Sequence, residues 1–183
     1  MATPLSFQTT NNFSHQIHDG KLLYVPDLTG TVPIFQGQIA VFDATLNGGN
    51  GGIRPAASQA DMTTFVGIAE QNSILNSLGD QLPTVRVGFK NIYFMNTTAA
   101  EVYKFGTVVF FNEAVPQVVG ILPANTPYGQ VTASTNAGAR THAVGYVILP
   151  NQTMLAGITS VTGAVNVQIP VAVVAQFPVP GLA

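Results

Sequence analysis

Short apolar stretches rich in Val, Ile and Phe recur along the chain, and Gly, Asn or Pro closes most of them. Alternation of apolar and polar positions within such runs is the signature of strands, and the punctuation supplies turns. The pattern predicts strands over Leu22–Val25, Ile39–Asp43, Phe65–Glu70, Thr84–Lys90, Ile92–Met95, Val108–Asn112, Gln117–Ile121, Val144–Leu149 and Val165–Val174. Single helical turns are predicted only at Asn72–Leu78 and Thr98–Tyr103. Many short strands at even spacing imply an all-β barrel or sandwich.

Two stretches fall outside this pattern of strands. Leu46–Gln59, with its Asn47-Gly48-Gly49-Asn50-Gly51-Gly52 run, and Pro123–Arg140, rich in Thr, Ser, Asn, Gly and Ala, are expected to be long surface excursions. The first twenty residues differ again. Met1–Gly20 is polar, with Phe7, Phe13 and Ile17 scattered at no helical period, and is read as an extended N-terminal arm preceding a single β domain over 21–183.

The pattern also repeats internally. Gly37–Asp43 is an apolar strand opened by Gly; a long loop follows, then Val66-Gly67-Ile68-Ala69, then Val85-Arg86-Val87. Gly106–Asn112 is again an apolar strand opened by Gly; a long loop follows, then Val144-Gly145-Tyr146-Val147, then Val165-Asn166-Val167. Gly67 and Gly145 sit inside strands, where glycine marks a bulge or a close backbone approach. The shared order of three elements predicts an internal duplication.

Composition narrows the function. Of 183 residues, 46% are hydrophobic, enough for a core, but only 8% are charged, against roughly 25% in an ordinary soluble protein. Thr, Asn, Gln and Ser carry the surface, which suits a chain packed into an assembly more than one kept apart by charge. The net charge is −2, and the six Lys and Arg are dispersed, so no basic patch for nucleic acid forms. No apolar run reaches the roughly 18 to 20 residues of a spanning helix. Met1–Thr10 has neither the basic region nor the apolar stretch of a secretory signal. With no cysteine, a disulfide framework and a thiolate metal site are both absent.

Chemistry-bearing constellations are few. His15, His18 and Asp19 form an H-x-x-H-D cluster, but Asn11, Asn12, Ser14 and Gly20 around it disfavour the helix that would aim two imidazoles at one metal, so a solvated arm is the better reading. His142 reads as a polar loop or interface residue. The acids Asp19, Asp27, Asp43, Asp61, Glu70, Asp80, Glu101 and Glu113 are spread out, and nothing pairs two of them for acid–base work. Gly48–Gly52 lacks the Gly-Lys-Ser/Thr ending of a phosphate loop, and no G-x-S-x-G elbow occurs. Glycosylation triplets at Asn12, Asn96 and Asn151 are expected by chance in so Asn- and Thr-rich a chain. No catalytic activity, metal or other cofactor is expected.

At the repeated elements the chain resembles the capsid decoration, or cement, proteins of tailed bacteriophages. The pieces are Gly37–Asp43, Val66–Ala69, Gly79-Asp80, Val85–Gly88 and Val102-Tyr103-Lys104-Phe105-Gly106, within about Gln36–Val174. The resemblance implies a small β-barrel or β-tulip domain and a homotrimer that head-stabilises the virion from the capsid exterior. Its implied partner is the major capsid protein, gripped by an N-terminal arm; here that arm would carry Phe7, Phe13 and Ile17. The implied site of synthesis is the host cytoplasm, with neither nucleic acid nor membrane as partner. The length of the chain and its Pro123–Arg140 loop depart from the pattern and leave room for a different oligomer. Two other readings remain open: a β-rich glycan-binding or adhesin-like surface module, and a main coat or tail-tube subunit.

Overall fold

The computed structural model describes residues 21–75, 80–89, 91–114, 130–133, 142–149, 157–165 and 167–174. The strands are β1 (Lys21–Tyr24), β2 (Ile39–Asp43), β3 (Gly52–Pro55), β4 (Phe65–Ala69), β5 (Val85–Gly88), β6 (Ile92–Thr97), β7 (Val102–Lys104), β8 (Val108–Phe111), β9 (Gln130–Thr132), β10 (Ala143–Val147), β11 (Ser160–Thr162) and β12 (Gln168–Val173). One sheet runs β1-β5-β4-β2-β3; a closed barrel runs β10-β12-β6-β9-β8; β7 and β11 form a separate pair. The fold is therefore all-β and built on a small barrel.

The first sheet also curls on itself. Its edge strands meet at a parallel bridge between Pro26 and Ile53, and the Ile53 amide donates to the Val25 carbonyl at 2.8 Å. The second barrel closes in the same way, through parallel pairing of Asn96 with Gln130 and of Thr97 with Val131. Strand for strand, β1, β2, β3, β4 and β5 correspond to β6, β8, β9, β10 and β12. The described residues thus hold two five-stranded units of one strand order: the second is a closed barrel, and the first, a sheet whose edges meet at the single Pro26–Ile53 bridge, forms the first barrel.

The correspondence extends to single residues. In the first barrel Ala40 faces Gly67 and Val41 faces Phe65, so Val66 is bulged out of the ladder. In the second, Val109 faces Gly145 and Phe110 faces Ala143, so Val144 is bulged at the same place. The inward side chains match as well. Ala40, Ile53, Val66, Ala69, Val85 and Val87 fill the first barrel; Val109, Val131, Val144, Val147, Ile169 and Val171 fill the second, and all twelve are buried. Burying a Val or Ile fully contributes roughly 1.5–3 kcal/mol, so these layers hold each barrel shut.

The outward face of β2 and β4 is apolar too. Ile39, Val41, Phe65 and Ile68 join Ala56 and Met62 in one buried cluster with the second barrel's Met95, Phe111 and Val173. The two barrels therefore share a core.

Several expectations need correction. Gly52–Pro55, expected to be loop, is β3, with Ile53 buried and Arg54 on the outside. The residues before it do not hang free. Asn47 and Gly48 take positive φ in a tight turn, and the Asn47 side chain bonds Leu28 N, Pro26 O and Gly51 O. Gln130–Thr132, inside the other expected loop, is the seam strand β9. Tyr103 lies in a strand, not a helical turn, and Ile74 bridges Gln81 where helix was expected. A 3-10 helix at Ala60–Thr64 was not anticipated. The third element of the second repeat is Ile169–Val171, not Val165–Val167: these residues pair with β10 and β6 as β5 pairs with β4 and β1. Pro170 sits in that strand because β10 ends beside it. Its carbonyl accepts from Ile148 N at 2.8 Å, and its missing N–H forfeits only the bond past Val147. The predicted strand Gln117–Ile121 and the arm Met1–Gly20 lie outside the described residues.

Candidate functional site

The carboxylates are the first place to seek chemistry, and each described cluster is committed to structure. Arg54, projecting from β3, donates Nε to Asp43 Oδ2 at 2.7 Å and Nη2 to Asp61 Oδ1 at 2.8 Å. Asp61 also accepts the Ala57 and Ser58 amides, and Asp43 the Thr45 amide and hydroxyl. The Thr45 hydroxyl and Arg54 hold the Asp43 carboxyl down at about 2; Arg54 does the same for Asp61. Two acids far apart in sequence are thus joined, but as ionised partners of one guanidinium, not as a proton-sharing pair.

Glu70, just past β4, accepts the Tyr93 hydroxyl at 2.6 Å on Oε1 and Arg86 Nε at 2.9 Å on Oε2. Burial, and then the Glu70 carboxylate, push the Tyr93 phenol well above its usual range. Glu101 binds the Tyr103 hydroxyl, the Thr132 hydroxyl and the Ala133 amide. Asp27 accepts from Thr29, Thr31 and Val32. These carboxylates spend most of their lone pairs on structural hydrogen bonds. Among the described residues no group of three or more His, Asp or Glu side chains converges as metal ligands would. His142 is half-buried ahead of β10. Phe7, Phe13, Ile17, His15 and His18 lie outside the described residues.

What the structure does present is apolar surface on the second barrel. Val108 and Tyr146 are a cross-strand pair on the outer face of β8 and β10, 48% and 41% exposed. Their counterparts in the first barrel, Ile39 and Ile68, are likewise paired and are 0% and 1% exposed. Phe105, in the turn before β8, and Ile92 and Phe94, on the outside of β6, are also exposed. An outward-facing position on a water-washed strand is ordinarily polar, so the exposed Val108 and Tyr146 pair is a candidate interaction surface; Ile92 and Phe94 lie on a different side of the barrel, and Leu23, the first-barrel counterpart of Phe94, is exposed as well. Sequence reasoning missed it because Val108 and Tyr146 read like their buried counterparts. The repeat itself held the signal, since a position buried in one copy and open in the other shows only when the two are aligned.

Comparison with protein families, with characterised proteins and with solved structures finds no match to this chain.

Proposed function

We propose that this chain is a non-enzymatic structural protein of a bacteriophage virion, one that binds the outside of the assembled head and clamps neighbouring capsid subunits as a small cyclic oligomer, a homotrimer in the first instance. The observation that carries the reading is the physical unity of the motifs behind the resemblance. Gly37–Asp43, Val66–Ala69 and Val85–Gly88 form three adjacent strands, β2, β4 and β5, of one barrel, and the set recurs in β8, β10 and β12. Exposed apolar side chains on a chain with few charges fit the same role, because a decoration subunit spends its working life in contact.

Co-sedimentation with expanded heads of the cognate major capsid protein tests the proposal. Saturable binding at a fixed number of copies per head is the expected result. Absence from the head pellet, or binding to immobilised glycans by the isolated protein, overturns it; the second outcome favours the adhesin-like alternative.

A further inference from the structure

We infer that the turn ahead of β3 carries a site of spontaneous deamidation at Asn50, and that the fold shields the neighbouring Asn47, whose conversion would open the first barrel. The inference concerns the chemistry of this chain alone and does not rest on the head-binding proposal.

The sequence holds two Asn-Gly pairs, Asn47-Gly48 and Asn50-Gly51. Such pairs are the most open to this reaction, because glycine leaves the following amide nitrogen unhindered and lets the backbone turn. The Gly51 nitrogen attacks Asn50 Cγ; a C–N bond forms there and the Cγ–Nδ2 bond breaks. Ammonia leaves with the proton that the Gly51 nitrogen gives up. Water then opens the cyclic imide at either carbonyl, giving aspartate or isoaspartate. The net change is hydrolysis of one side-chain amide, with nothing oxidised or reduced.

The structure separates the two pairs. Asn50 is exposed, and its restraints lie within its own turn: its Nδ2 donates to the Asn47 carbonyl at 2.9 Å, and the Gly51 amide donates to the Leu46 carbonyl at 3.0 Å. Gly48 and Gly49 beside it are exposed and take positive φ. This turn can open locally, without parting a strand.

Asn47 is half-buried, and two of its bonds leave the turn. Its Oδ1 accepts the Leu28 amide at 2.8 Å, and its Nδ2 donates to the Pro26 and Gly51 carbonyls, both at 2.9 Å. A Cβ on Gly52, the first residue of β3, would stand 2.7 Å from that Nδ2. The amide therefore clips the chain beyond β1 to the start of β3, beside the Pro26–Ile53 bridge that closes the first barrel. Freeing Asn47 for attack parts this seam. An aspartate there sets a carboxylate against two carbonyl oxygens with no donor to give them, so the seam does not reclose.

Ageing the full chain in mildly alkaline buffer tests this. Peptide mapping follows aspartate and isoaspartate at each position, and ion exchange follows the added negative charge. In the folded protein Asn50 is expected to convert about tenfold or more faster than Asn47, because freeing Asn47 takes the larger opening. In urea the two rates should converge. Asn47→Asp should lower the urea midpoint or prevent folding, and Asn50→Asp should leave the midpoint near that of the wild type. Equal conversion of the two positions in the folded protein overturns the inference, as does an Asn50 that stays intact while the unfolded chain converts. The same bias in urea would trace the order to the sequence and overturns it too. An Asn47→Asp variant as stable as the wild type overturns the role given to the seam.

Discussion

Gly67 and Gly145 occupy one and the same place in two barrels. Each lies beside a bulged valine, and each is pressed against the carbonyl of the neighbouring strand, Gly88 in the first barrel and Ala172 in the second. A Cβ on Gly67 would stand 2.2 Å from the Gly88 oxygen, and one on Gly145 would stand 2.0 Å from the Ala172 oxygen. Real Cβ atoms do not approach a carbonyl oxygen so closely, so the strands part or the bulge is lost.

Gly67→Ala and Gly145→Ala should each destabilise the fold by about 2–4 kcal/mol, from overpacking against backbone that cannot retreat. Gly67→Ala should cost more, because its φ of 141° adds backbone strain that an alanine does not relieve. Urea unfolding midpoints check both. Equal stability of wild type and either variant would show that the bulges relax freely.

Acid should weaken the fold through Asp43 and Asp61, whose carboxyls are held at about 2. An unfolded aspartate titrates near about 3.9. Between about pH 4 and about pH 2 the unfolded chain takes up protons that the folded chain refuses, so stability is complete above this window and falls as pH drops through it. Arg54→Met should lower stability near neutrality by about 1–3 kcal/mol, because it leaves two ionised acceptors without their shared donor. It should also flatten the acid dependence, since Arg54 is the main cause of the Asp61 shift. Denaturant titrations of both proteins across the acid range read both effects; an unchanged acid slope would assign the dependence to other groups.

Alkali should act through the phenols. Burial pushes Tyr24 up to about 12, and burial together with a neighbouring carboxylate raises Tyr93 and Tyr103. Their contribution to stability is full below about pH 10, where an unfolded tyrosine titrates, and is lost as pH rises through the folded values. Tyr103→Phe removes bonds to Glu101 Oε2, the Val131 carbonyl and the Thr98 amide. It should cost about 1–3 kcal/mol. It should also delete one late-titrating phenol from the absorbance titration. A stability equal to wild type would mean that water replaces the hydroxyl.

Deleting residues 1–20 should leave folding and oligomerisation intact and weaken attachment to expanded heads. Among the described residues the strands begin at Lys21, and the inward side chains named above for both barrels lie beyond it. Ordering an arm costs roughly 1–2 kcal/mol per residue, which only a sizeable contact with a partner repays. Phe7, Phe13 and Ile17 are proposed to anchor that contact, by strand addition to a neighbouring sheet. Undiminished head binding by the truncated chain would make the arm a passive tail. Loss of folding would place it in the first barrel.

The β-class of the chain, most of its long strands and the repeat were legible in the residues, because alternation with glycine punctuation is a local property. Gly67 and Gly145 stood out within apolar runs for the same reason. The seam strands were not legible. Gly52-Ile53-Arg54-Pro55 and Gln130-Val131-Thr132 are only three or four residues long, too short for alternation to show within stretches rich in glycine, asparagine and threonine, and closing a barrel gives them partners on both sides, one of them parallel and distant in sequence. The joining of Asp43 and Asp61 by Arg54 depends on the same closure, since β3 carries the guanidinium to them. Whether an outward apolar residue is core or surface was decided later still. Ile39 and Val108 have like neighbours and like strands, but one is covered by the second barrel and the other is not. Burial of that kind is a relation between folded units, and no local pattern encodes it.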